Sequence, residues 1–330
     1  MLGQNWRPTF PPATVRRELQ IIRDDLHCNA VRLQGENIDR LMFAAETALE
    51  LDLSVWFSPE LWDRDADETL AHIERGARAA ETLRSRFPDR VVFSVGSEVS
   101  LFTQGYFEGR NVLERISHPG FIPAARAGQH NGPLNAFLGR AVTATRSEFH
   151  GAITYASVAL ETVDWSPFDI VGVDFYRDSR IRDVYPKLLE RRRSPGKPLA
   201  NMEFGCCTFK GAEDLGGRGW DVVDWTRTPP RLKQNYEYDQ ATQATELGEL
   251  LRLNDEAGVD ATFVFTFEDS AGGVPEDMLP LVQSLSFDPD LVRYGLVKNL
   301  LDGSHGKVYP DMTWEPKESF RAVGDYYAHH

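Results

Sequence analysis

Short apolar runs alternate along the chain with longer stretches in which apolar residues recur every three or four positions. The first pattern reads as strands buried on both faces, the second as one-sided helices. Strands are expected at Leu2–Asn5, Ala30–Leu33, Ser54–Phe57, Val91–Val95, Ile153–Ser157, Ile170–Phe175, Leu199–Glu203 and Ala261–Phe267. Between them, Val15, Leu19, Ile22 and Leu26 stripe a first helix, and Ile38, Leu41, Met42, Ala45 and Leu49 a second. Leu70, Ile73, Ala77, Ala80 and Leu83 stripe a third, and Leu134, Phe137, Leu138, Ala141, Val142 and Thr145 a fourth. Helices are also expected near Arg180–Arg193, around Leu247, Leu250 and Leu251, and over Pro316–Tyr327, while only a short Trp165-containing connection separates the fifth and sixth strands.

Strict strand–helix alternation argues for parallel strands joined by right-handed crossovers. Eight strands of this kind predict an α/β fold of the (β/α)8 TIM-barrel class. A doubly wound open sheet alternates too, but no GxGxxG or GxxxxGK[ST] motif opens any helix, which disfavours a nucleotide-binding fold. Barrels of this class commonly run to about 250 residues and more as one unit, so residues 1–330 are expected to form a single catalytic domain. Long loops are expected at its top face, over residues 101–131 and 204–236. They carry Phe102, Tyr106, Phe107, Trp220 and Trp225 among several glycines, a composition suited to lids or sugar-stacking walls, or to an oligomer contact.

Charge and composition narrow the partners. The net charge is −14 and the one dense basic run is Arg191-Arg192-Arg193 at the end of an expected helix, where cations suit the helix dipole. A nucleic-acid partner is therefore not expected. No apolar run approaches the roughly 20 residues of a membrane helix, and the start MLGQNWRPTF lacks the charged head and apolar body of a secretory signal. No membrane partner and a cytoplasmic location are expected. Cys28, Cys206 and Cys207 have neither a disulfide framework nor zinc-ligand spacing, and the eight histidines form no HxH or HExxH pattern. Neither a metal nor an organic cofactor is expected. Cys206-Cys207 has no positioned histidine nearby and reads as small buried hydrophobes rather than as a nucleophile.

Barrel enzymes assemble their sites at the C-terminal ends of the strands. Those ends hold Asn5-Trp6, Arg32, Pro59-Glu60, Ser97-Glu98, Asp174 with Tyr176, Glu203 and Glu268-Asp269. Burying a carboxylate is costly unless it is paired or hydrogen-bonded, so Glu98 and Glu203, each ending an apolar strand, stand out. They either cap strands and pair with arginines, or do chemistry. Two carboxyl groups across one barrel mouth suit the double displacement of a retaining glycosidase, which needs them about 5–5.5 Å apart. One must have a raised pKa to act as acid and the other a normal or lowered one to act as nucleophile. Arg32 is placed to hold a nucleophile ionised.

The segments VRLQG around Arg32, VVFSVGSEVS around Glu98, IVGVDFY around Tyr176 and PLANMEFG around Glu203, with the C-terminal YGLVKN and WEPKESF, resemble the clan A glycoside hydrolases over nearly the whole chain. These are retaining β/α-barrel enzymes whose acid/base ends strand four and whose nucleophile ends strand seven. The resemblance implies Glu98 as general acid/base, Glu203 as nucleophile, and Arg32 and Tyr176 as hydrogen-bonding partners of the nucleophile. Two departures bear on the substrate. Ser97 stands where the clan usually has Asn, and reaches a sugar 2-hydroxyl only through water. Phe267-Glu268 stands where a tryptophan platform commonly ends strand eight, leaving Phe267, Trp6, Trp62, Trp220 and Trp225 as candidate sugar-stacking aromatics. The expected substrate is a small-molecule or oligosaccharide glycoside. A transglycosylase using the same pair and a catalytically inactive carbohydrate-binding barrel are the competing readings.

Overall fold

The computed structural model describes residues 7, 9–269, 282 and 284–330. The expected strand Leu2–Asn5 and the candidate Trp6 lie outside them. The main elements are α1 (Pro12–Asp24), β1 (Ala30–Gly35), α2 (Ile38–Glu50), β2 (Ser54–Pro59), α3 (Ala66–Arg86), β3 (Val91–Ser97), α4 (Asn131–Glu148) and β4 (Ala152–Val158). After these come β5 (Val171–Asp174), α5 (Tyr185–Glu190), β6 (Leu199–Phe204), α6 (Gln240–Glu256), β7 (Ala261–Val264) and α7 (Glu318–Tyr327). These strands correspond to the second through eighth expected from the sequence. They join in chain order, β1 to β7, in one seven-stranded sheet. The pairs from β1 to β5 are all parallel.

Contacts gather the chain into two compact units. One comprises Asn29–Phe175 and Arg192–Met202; the other comprises the segment ending at Cys28, Tyr176–Arg191 and Glu203–His330. In the first unit, β2 and β3 are buried along almost their whole length, as their unbroken apolar runs require. Val55, Phe57, Phe93, Val95, Ile153 and Tyr155 are each no more than 0% exposed and form its centre. The helices start where local chemistry satisfies their first N–H groups. Asn37 accepts from the Arg40 amide at α2, and Asp65 with Glu68 forms a complete capping box at α3. Helix α3 then buries Ile73, Gly76, Ala77, Ala80 and Leu83 along one stripe.

In the second unit, β6 ends at Glu203 and Phe204, and the Phe204 carbonyl accepts the Phe265 amide at 2.8 Å, just past β7. Helix α6 begins where Asp239 accepts the Ala241 amide. The helix expected near Arg180–Arg193 is shorter, a 3-10 turn over Arg182–Val184 followed by α5. Pro186 suits the first turn of α5, and Ser194-Pro195 stops it from continuing.

The two long segments expected as loops carry structure of their own. The segment after Glu98 contains short helices at Val99–Phe102, Val112–Ser117 and Phe121–Ala127. The segment after Phe204 contains 3-10 helices at Ala212–Asp214 and Gly216–Val222 and an antiparallel pair, Val223–Asp224 with Arg231–Leu232. Among the described residues no helix is long and apolar enough to cross a membrane.

Helical glycines differ in the space around them. A Cβ at Gly76 of α3 would meet Pro59 at 2.6 Å, whereas one at Gly139 of α4 would meet nothing within 4 Å. Alanine gains about 1 kcal/mol over glycine in a helix interior, but overpacking costs roughly 1–3 kcal/mol. Urea unfolding should therefore show Gly139→Ala more stable than the wild type by up to about 1 kcal/mol, and Gly76→Ala less stable.

Candidate active site

Arg32 within β1 and Glu60, Ser97, Glu98 and Asp174 at or just past the C-terminal ends of β2, β3 and β5 all lie in the first unit. Arg32 is the cation among them, its side chain 4% exposed. It donates to Asp174 Oδ1 at 3.3 Å, to the Met202 carbonyl at 2.8 Å and to Ser58 Oγ at 3.4 Å. The third guanidinium nitrogen, Nη2, lies 3.6 Å from Glu60 Oε1. These bonds grip the backbone next to Glu203, at the Met202 carbonyl, and set one cation beside the two carboxyls of Asp174 and Glu60.

Asp174 is buried and takes its second hydrogen bond from Ser97 Oγ, 3.0 Å from Oδ2. Ser97 is thus turned towards a carboxylate, and its hydroxyl hydrogen is committed there. Burial pushes the Asp174 carboxyl up in spite of the Arg32 guanidinium and the Ser97 bond, which hold it down. Burial likewise pushes Glu60 up, against Arg32, the Trp62 indole and the Gln34 amide, with the nearby Asp174 charge adding to the rise. The Trp62 indole N–H donates to Glu60 Oε2 at 3.2 Å and Gln34 Nε2 to Oε1 at 3.0 Å. Trp62 also stacks on Phe102, with ring centroids 4.2 Å apart and planes 15° from parallel. One face of this candidate platform is therefore covered by another ring.

Glu98 follows β3 and opens the short helix Val99–Phe102. Its backbone is left-handed, with φ 44° and ψ 41°. Its amide donates to the Ala156 carbonyl at 2.8 Å, and its carbonyl accepts the amides of Leu101 and Phe102 at 2.8 and 3.1 Å. The far end of this turn is held by Arg115, which is fully buried and donates to the carbonyls of Leu101 and Phe102 and to Asp63.

In the second unit, Tyr176 Oη donates to Glu203 Oε1 at 2.9 Å. Tyr176 is held from two sides. A Cβ on Gly217 would sit 3.1 Å from the ring carbons, so the Gly217 backbone lies against the ring face. Tyr294 meets it edge-on at 5.9 Å. The Tyr294 hydroxyl donates to the Gly216 carbonyl at 2.8 Å and accepts the Gly219 amide at 2.9 Å. The 3-10 helix Gly216–Val222 thereby fixes both tyrosines.

Trp220 and Trp225 are partly buried against a cluster of Cys206, Cys207, Phe209, Val222, Val223 and Tyr294. Packing occupies much of their surface, and the Trp220 indole N–H is spent on the Gly217 carbonyl at 3.0 Å. Cys206 and Cys207 are buried in that cluster, and burial pushes both thiols up. Phe267 meets Trp314 edge-on at 5.5 Å and tilts against Phe320. The Glu268 side chain is 3% exposed, 3.8 Å from Arg7. Among the described residues no three His, Cys, Asp or Glu side chains converge as metal ligands would.

No protein-family model and no curated protein sequence matches the chain. Solved structures do. A GH113 β-1,4-mannanase is 13% identical with a TM-score of 0.59, the match covering 96% of this chain and 93% of that one. The GH113 β-mannanase from Alicyclobacillus acidocaldarius, in complex with ManMIm, is 16% identical with a TM-score of 0.58, covering 96% and 91%. The shared fold is the (β/α)8 barrel. A β-glucuronidase from Parabacteroides merdae is 14% identical with a TM-score of 0.58, the match covering 96% of this chain and 36% of that larger one. The fold likeness covers almost the entire chain, as the resemblance read from six short segments implied.

Asp174 and Glu60 were visible as strand ends, yet nothing in the sequence marked them as partners of Arg32. Removing a buried ion's partner costs about 3–5 kcal/mol. Arg32→Met should destabilise the fold by that order at neutral pH. The loss should shrink as the pH falls, because protonated Asp174 and Glu60 need no counter-charge. Urea unfolding at a series of pH values checks this, and a loss that stays constant with pH would mean that packing, not charge, is what Arg32 supplies.

Proposed function

We propose that this chain is a retaining glycoside hydrolase with Glu203 as nucleophile and Glu98 as general acid/base. The observation that carries the reading is the hydrogen bond from Tyr176 to Glu203 at the end of β6. A tyrosine hydroxyl fixed by its own packing orients the Glu203 carboxylate for attack. Glu203 attacks the anomeric carbon while Glu98 protonates the leaving oxygen. The glycosyl-enzyme is then hydrolysed by a water that Glu98 deprotonates. Asp174, Arg32 and Ser97 act beneath this chemistry by fixing the strand ends from which Glu98 and Glu203 project.

The barrel fold supports the reading. The neighbours named as β-mannanases and as a β-glucuronidase put β-mannosides and β-glucuronides first in a substrate panel. A mechanism-based fluorosugar should label the peptide containing Glu203. Product analysis separates hydrolysis from transglycosylation, and sugar binding without turnover would favour an inactive binding barrel.

Two outcomes are expected on a confirmed substrate. Proton NMR of the first-formed product should show the retained anomer, and the inverted anomer would contradict the mechanism. Glu203→Ala should abolish turnover of every glycoside. Glu98→Ala should lose roughly 10²–10⁴-fold on ordinary glycosides, but much less on aryl glycosides whose leaving groups need no protonation. Azide should restore part of the Glu98→Ala rate. Wild-type rates in both variants would remove the assignment.

A further inference from the structure

Five described non-glycine residues have positive φ: His27, Asp52, Asp63, Asp89 and Glu98. Asp and His are several-fold enriched in that region, whereas Glu is not. A left-handed residue without that local compensation is strained and persists only where its surroundings over-determine it. At Glu98 the surroundings include a carboxylate not yet assigned any task.

Glu161 lies in the connection between β4 and β5 and is 2% exposed. Its Oε1 accepts the Ser100 amide at 3.1 Å and the Ser100 hydroxyl at 2.6 Å. Its Oε2 accepts the Tyr155 hydroxyl at 2.8 Å and the Val158 amide at 3.3 Å. The same Tyr155 hydroxyl accepts the Val99 amide at 2.8 Å. The amides of residues 99 and 100, the first two of the turn that Glu98 opens, would otherwise be unsatisfied helix-start donors. Glu161 takes one directly and the other through Tyr155.

We propose that Glu161 is a positioning residue for Glu98, its buried carboxylate holding the turn that keeps Glu98 in the left-handed conformation from which it donates and accepts the proton. This role rests on the assignment of Glu98 as general acid/base. Among the described residues Glu161 has no Lys or Arg ion-pair partner; four hydrogen-bond donors alone offset its charge. Tyr155 from β4 faces it directly. Tyr106, from the segment after Glu98, feels its charge, and Glu98 itself lies near enough to act on Tyr155. His130, at the start of α4, binds the neighbouring Leu160 carbonyl at 3.0 Å.

Burial pushes the Glu161 carboxyl up to about 7 against the hydrogen bonds from Ser100 and Tyr155. Above that pH the carboxylate accepts all four donors. Below it a proton occupies one oxygen, a backbone N–H loses its acceptor, and the turn loosens. The active arrangement is therefore the ionised one, and activity should fall as the pH drops through about 7.

The test compares Glu161→Gln and Tyr155→Phe with the wild type on two substrates of one sugar, an alkyl glycoside and a dinitrophenyl glycoside. Circular dichroism and thermal melting confirm that each variant folds. A residue that positions the acid/base should mimic the leaving-group selectivity of Glu98→Ala in milder form. We expect kcat on the alkyl glycoside to fall about tenfold or more, short of the full 10²–10⁴-fold of losing the acid, with the dinitrophenyl glycoside almost unaffected. The wild-type inflection near 7 in the alkyl-glycoside profile should vanish in Glu161→Gln, as should a carboxyl infrared band titrating there. Equal losses on both substrates, or none, overturn the positioning role while leaving the hydrolase reading intact. A wild type inert towards every glycoside overturns the hydrolase reading and this role together.

Discussion

One guanidinium holds together the strand ends from which the candidate site is built. Arg32 reaches Asp174 from β5, Glu60 just past β2 and the carbonyl of Met202 in β6, while Ser97 from β3 closes on the other oxygen of Asp174. Two carboxyls share one cation, so burial still pushes both up. Such an arrangement is weak evidence for stability, because desolvating the charges costs much of what their attraction returns. Its contribution lies in geometry, since each partner satisfies the others only if five strands keep the observed register. The residues that follow, Glu98 after Ser97 and Glu203 after Met202, inherit that register directly.

Two buried carboxylates and one partly buried one meet the desolvation problem in three different ways. Asp174 has a cation and a hydroxyl. Glu203 accepts a hydrogen bond from a tyrosine that the Gly216–Val222 helix immobilises. Glu161 has hydrogen-bond dipoles only. Burial pushes Glu161, held by dipoles alone, up to about 7, whereas the arginine beside Asp174 stays charged throughout the working range. The chemistry around each acid therefore sets whether it serves as fixed scaffold or as a group that responds to its surroundings.

Much of the fold was legible because long periodic segments carry their own burial signal. All seven described main strands and the helical stripes of α2, α3 and α4 fall within a few residues of where apolar spacing puts them. The failures are local. The helix expected over Arg180–Arg193 shrank because Pro186 and Pro195 bracket it. Residues 101–131 and 204–236 looked like loops because three short helices and two 3-10 turns are too brief to show a period. Tyr176, Glu203, Glu98 and Arg32 stood out as candidates because they lie in or just after strands within recognisable segments. Glu161 and Arg115 left no such trace: they are single charged residues in irregular chain, and only tertiary structure reveals which amides and carbonyls they hold. The tryptophans expected as sugar platforms point to the same limit. An indole that stacks on Phe102 or packs on Val222 and Tyr294 has the same sequence signature as one that faces a sugar.

The backbone of Gly217 against the Tyr176 ring also constrains how this protein can change over evolutionary time. Any side chain at 217 would displace the ring, and with it the hydroxyl that orients Glu203. The long segment after β6 is therefore freer to drift at its exposed tip, around Thr226 to Lys233, than at Gly216, Gly217 and Gly219. Mutational scanning of that segment would find tolerance at the tip interrupted at these glycines, where an added Cβ would meet Arg177, the Tyr176 ring and Cys207 at 2.5–3.1 Å, so packing around the Tyr176–Glu203 hydrogen bond constrains chain well beyond it.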